Sequence, residues 1–121
     1  SRVLEVDMKT DKIVWQYFGS PVFSFISLHI AGAERLDNGN TLICEGETGR
    51  VLEVTPDKDI CWEWMNPFKL PFKGCISSML FRAHRYAAES PELKEMPIRP
   101  EVWAKTNAET GLDRASRRAT K

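Results

Sequence analysis

The sequence has no excess of either charge. Lys+Arg and Asp+Glu both number 17 among its 121 residues, so no global field recruits nucleic acid or an acidic membrane surface. No apolar run comes near the roughly 20 residues that span a bilayer. The opening, SRVLEVDMKT, has no basic region followed by an apolar one, so no signal peptide is expected there. Histidine and cysteine are scarce, two and three residues respectively. Two histidines without an i, i+4 pair make no zinc site. Cys44, Cys61 and Cys75 form no C-x-x-C pair and read as small buried or half-buried hydrophobes, with a disulfide between two of them as the alternative. There is no Gly-rich phosphate loop, no G-x-S-x-G elbow and no compelling carboxylate pair. Neither a metal nor a cofactor is expected. The remaining composition, 42% hydrophobic and 28% charged, excludes a mainly disordered or collagen-like chain and suits one small domain.

The sequence repeats itself. Arg2-Val3-Leu4-Glu5-Val6 recurs letter for letter as Arg50-Val51-Leu52-Glu53-Val54, an offset of 48. Ile13-Val14-Trp15-Gln16-Tyr17 is echoed by Ile60-Cys61-Trp62-Glu63-Trp64 at an offset of 47, so the second turn is one residue shorter. A slip of one at a turn is what a duplicated supersecondary unit accumulates. Each copy reads as a hairpin of β-prone strands, with Trp15/Tyr17 and Trp62/Trp64 at alternate positions and so on one strand face. Residues 33–36 and 41–44 flank Asp37-Asn38-Gly39-Asn40, where Asn-Gly predicts a type I′ hairpin with positive φ at both central residues. The same four residues only faintly resemble a calcium loop, without its spacing or terminal Glu, and the turn suffices.

The expected fold class is therefore all-β. Four short strands in about 48 residues match the blade of a β-propeller, giving about two four-stranded antiparallel blades, a partial propeller, over residues 1–86, with repeats near 1–48 and 49–86. Composition shifts at Tyr86, since 11 of 12 aromatics lie at or before it. Residues 87–121 read as an irregular linker to Pro100, then a polar, helix-prone tail over 101–118 with a small basic excess at its end.

Histidine chemistry must use His29 or His84. His29 precedes a strand that contains Arg35, and His84-Arg85 lies near the repeat distance from it, Arg35 and Arg85 being 50 apart. In a propeller the loops that enter inner strands converge on the central channel, where His and Arg make a cationic site for an oxyanion. The alternative is that each histidine satisfies a neighbouring backbone group.

The run HIAGAERLDNGNTLICEGETGRVLEVTPDKDICWEWMNP over residues 29–67, with the later FRAHRY, resembles the C-terminal blades of the bacterial aryl-sulfate sulfotransferases. The matching elements are H-x-x-G-A-x-R-L-x-N-G-N-T-L-I, G-R-V-x-E-V-T-P and W-E-W-x-N-P; the resemblance covers most of residues 1–86 and none of the tail. It implies a six-bladed propeller that moves a sulfuryl group from a phenolic sulfate ester to a phenol through a sulfohistidine, in a periplasmic setting. His29 is then the candidate catalytic residue, Arg35 a possible oxyanion partner and His84 a weaker candidate. Two blades are about a third of such a ring. Either further blades complete it or three copies close it as a homotrimer. A non-catalytic propeller fragment serving binding or assembly is the rival reading.

Overall fold

A computed structural model describes residues 1–72, 74–87, 89–94, 96, 101–102 and 104–105. Within it Ser1–Arg85 forms one compact unit and Tyr86–Lys121 another. The first unit is mostly antiparallel β, with one 3-10 turn at Val22–Ser24. Strands β1 (Arg2–Asp7) and β2 (Lys12–Phe18) make a two-stranded sheet. Four strands, β3 (Ala31–Arg35), β4 (Thr41–Glu45), β5 (Arg50–Val54) and β6 (Ile60–Met65), form a meander. A small hairpin, β7 (Leu70–Phe72) with β8 (Cys75–Ser77), follows.

The sheet boundaries differ from those expected. The repeat groups residues 33–36 and 41–44 with the first hairpin, but β3 and β4 pair with β5 and β6, across the repeat boundary at 48/49. The turn at residues 46–49 is short and closes β4 directly onto β5, whereas residues 19–30 separate β2 from β3 and carry the chain to a new layer. So β1–β2 corresponds to β5–β6, the second half of the meander. The correspondence is detailed. Each hairpin carries a register shift at the same place, between Glu5 and Val6 and between Glu53 and Val54. Each turn also holds one non-glycine residue at positive φ, Asp11 at 53° and Lys58 at 77°.

The core lies between the two layers. Tyr17 and Phe25, with Val3 and Trp15 packed alongside, meet Ile43, Leu52 and Val54 of the meander. Trp15 and Tyr17 share a face as their alternation requires, with ring centroids 6.5 Å apart. The central strands β4 and β5 are buried on both faces, which is why RVLEV puts apolar residues in both phases rather than alternating cleanly. Burying both faces also takes in Thr41, Glu45 and Glu53. Glu45 accepts the Ile26 N–H at 2.7 Å and lies 3.4 Å from Arg50, whose Nε–H donates to Glu63 at 2.7 Å. That bond to Glu63 raises the Arg50 pKa against the opposing effect of burial.

Three local expectations are corrected. The β3–β4 turn is not type I′: of its residues only Gly39 has positive φ, at 84°, and the paired bonds Gly39 N–H to Leu36 O and Leu36 N–H to Asn40 O define a type I turn closed by a left-handed glycine. Of the cysteines only Cys44 is buried, while Cys61 and Cys75 are exposed. Inside the expected linker Pro91–Lys94 is one helical turn, α1, opened by proline at its first position. Of the helix expected over 101–118, Glu101, Val102, Ala104 and Lys105 are helical. The rest of it, and the basic end, lies outside the described residues.

Candidate functional site

Glu45 at the end of β4 and Glu47 in the turn that follows reach back to the segment that enters β3. Glu45 accepts from Ile26 N–H and Glu47 from Leu28 N–H, both at 2.7 Å, so alternate amides of one extended segment are fixed by alternate glutamates. The Glu47 N–H in turn lies 3.4 Å from Ser27 Oγ, and Ser27 Oγ–H donates to Ile30 O. This lacing presents His29. Its Nδ1 stands 3.9 Å from Glu47 Oε1, and its side chain is 60% exposed. The carboxylate of Glu47 therefore lies on the Nδ1 side of the ring, beyond direct hydrogen-bond distance.

Gly46 sits where the backbone is most crowded. A Cβ there would collide with the carbonyl oxygens of Ile30 and Leu80 together. Those two residues are 50 apart, and the same spacing recurs along the neighbouring segment: a Cβ on Gly32 would lie 3.6 Å from Arg82, and Glu34 Oε2 lies 3.2 Å from His84 Nδ1. Residues 80–85 thus run beside residues 30–35, position against equivalent position.

Arg35 is not left open. Its guanidinium pairs with Glu5, donates to Gly39 O at 2.8 Å and lies 4.8 Å over the Trp15 ring, the residue opposite Glu5 in the sheet. Arg85 repeats this arrangement. It pairs with Glu53 and lies 5.9 Å from the centroid of Trp62, which stands opposite Glu53. Glu53 is the more deeply buried of the two carboxylates and also accepts from Asn38 Nδ2 at 3.1 Å and Asn40 Nδ2 at 2.7 Å. The Asp-Asn-Gly-Asn turn therefore supplies carboxylate ligands as well as a reversal.

The structure places the sequence-derived residues in two settings. His29 belongs with Glu47 at the turn end of the meander; His84 belongs with Glu34 on the paired segments, and with Trp62, Trp64, Arg82 and Arg85 around a cavity of about 520 Å³. Arg35 contacts neither histidine in the bonds above and has its charge matched by Glu5. Glu47 and Glu34 were not singled out in the sequence. A glutamate inside Glu45-Gly46-Glu47-Thr48-Gly49 reads as turn chemistry, and nothing local shows that its carboxylate faces an imidazole 18 residues earlier. Among the described residues no group of three or more His, Cys, Asp and Glu is arranged to hold a metal ion, and no helix is long and apolar enough to cross a membrane. No family model, curated protein or solved structure matches the chain.

Proposed function

We propose that this chain forms neighbouring blades of a β-propeller and supplies the histidine nucleophile, His29, for sulfuryl transfer from an aryl sulfate to a phenol. The observation that carries the reading is the His29–Glu47 pair: an exposed imidazole whose Nδ1 stands 3.9 Å from a carboxylate that is itself held by the Leu28 N–H. It is supported by the ordered resemblance of residues 29–67 to the aryl-sulfate sulfotransferases.

The chemistry follows from that geometry. Nε2 of neutral His29 attacks sulfur, the N–S bond forms, and the S–O bond to the ring breaks with the electron pair leaving on the phenolate. Glu47, 3.9 Å from Nδ1, stabilises the positive charge that develops on the ring. The acceptor phenol then attacks the same sulfur, the N–S bond breaks, and the electron pair returns to Nε2; the acceptor's proton goes to the phenolate released earlier, through solvent. Cations for the sulfuryl oxygens come from further blades, because Arg35 and Arg85 already neutralise Glu5 and Glu53. Each copy supplies one four-stranded sheet and the two-stranded β1–β2, so a full ring draws further strands from beyond these sheets.

A second reading is favoured by those same matched arginines. A blade pair whose Arg35 and Arg85 are both engaged by carboxylates in packing serves assembly rather than catalysis. A chromogenic aryl sulfate with a phenol acceptor separates the two. Sulfuryl transfer predicts phenol release that His29→Ala abolishes and Glu47→Gln reduces about 10- to 100-fold, the scale set by orienting partners of functional imidazoles. Turnover unchanged in His29→Ala contradicts it. The assembly reading predicts no turnover and a fold indifferent to His29→Ala.

A further inference from the structure

The repeat supplies an internal comparison. In β1–β2 the face bearing Val3, Glu5, Trp15 and Tyr17 is covered, and what covers it is the β5 face of Leu52 and Val54 with Ile43 beside them. In β5–β6 the equivalent face bears Val51, Glu53, Trp62 and Trp64. Among the described residues the segment 80–85 lies against it; Trp62 remains 44% exposed and a cavity of about 520 Å³ opens between them. Meanwhile the far face of β1 shows Leu4 and Val6 at 37% and 43% exposure. Their equivalents, Leu52 and Val54, are fully buried.

We infer that a second copy of this chain docks its Leu4/Val6 face on the Trp62/Trp64 face of the first, head to tail. The surface required is known from the chain itself. Arg50-Val51-Leu52-Glu53-Val54 covers Trp15 and Tyr17, and Arg2-Val3-Leu4-Glu5-Val6 is the same five residues with the same register shift after the glutamate. The apolar pattern that fits one aromatic face is thus presented a second time, with Leu4 and Val6 exposed. The contact is heterologous, so each copy keeps one open face of each kind and addition continues until a ring closes. Among the described residues β1–β2 is a two-stranded sheet and none of them takes the place of Ile43, so the contact buries less than the internal one. Chemistry at His29 is not needed for it.

Light scattering after size exclusion, run over a concentration series, tests this with two variants. Leu4→Asp removes one face and Trp62→Glu the other; both residues are partly exposed, so cooperative thermal unfolding of each variant establishes that it is folded. The wild-type chain is expected to assemble, each variant alone to be monomeric, and an equimolar mixture to form a dimer through the one intact pair of faces. A monomeric wild-type chain overturns the proposal and assigns the aromatic face to a different partner. Assembly retained in Leu4→Asp alone also overturns it, since a symmetric pairing of aromatic faces would not use Leu4.

Discussion

Glu5 and Glu53 occupy equivalent positions, yet their carboxylates live in different surroundings. Both pair with an arginine that covers the opposite tryptophan, but the Glu5 side chain is 47% exposed and that of Glu53 is 6% exposed. Glu53 also holds the amides of Asn38 and Asn40. Replacing Glu53 by Ala removes charge-assisted bonds from a buried site, and a loss of about 2 kcal/mol in urea unfolding is expected. Glu5→Ala breaks a half-solvated pair and is expected to cost less than about 1 kcal/mol. Equal effects would contradict the difference in burial. At this scale His29, Arg35 and the Asn-Gly turn were visible from residue type and spacing. The partners Glu47, Glu34 and Glu5 were not, because each meets its histidine or arginine across 18 to 50 residues of chain, and a lone glutamate in a strand or turn carries no mark of what it faces.

Among the elements, the β4–β5 hairpin is the one on which the others depend. Its turn passes so close to the carbonyls of Ile30 and Leu80 that Gly46 admits no side chain. Gly46→Ala must push both segments away and is expected to cost on the order of 1–3 kcal/mol, the scale of overpacking in a close-packed interior. It should also disturb the loop that holds His29. Two groups in the layers nearby respond to alkali. Burial raises the pKa of the Cys44 thiol and of the Tyr17 phenol. The unfolded chain then loses these protons at lower pH than the folded one, so their contribution to stability is complete below the ordinary thiol value of about 8.5 and declines as pH rises above it. Tm should therefore fall above that pH, and less steeply in Cys44→Ala. A Tm flat to pH 11 or so would show that neither group is buried as described. The strands themselves were legible from apolar and aromatic alternation, and the duplicated hairpin from its letters. Which hairpins share a sheet was not, since that depends on the path of residues 19–30, a stretch with no periodic signal.

Of the two equivalent aromatic faces, that of Trp15 packs against the core and that of Trp62 is partly exposed. The two tryptophans should report this. Trp15 packs against the core, so Trp15→Ala is expected to cost about 3 kcal/mol at any protein concentration. Trp62→Ala removes a side chain that is 44% exposed. Its cost in the dissociated chain should be well below that of Trp15→Ala and should grow with protein concentration, as for any group that acts through association. Identical, concentration-independent losses would mean that the two faces are equally closed.

Sulfuryl transfer through His29 is tested most directly by looking for the intermediate. The protein is mixed with an aryl sulfate in the absence of a phenol acceptor, quenched in alkali to protect an N–S bond, digested and mapped by mass spectrometry. The account predicts the mass of one sulfuryl group on the peptide that contains His29, lost when a phenol is added before the quench and absent from His29→Ala. A sulfuryl group found on the His84 peptide instead, or on neither histidine while phenol is still released, would contradict it.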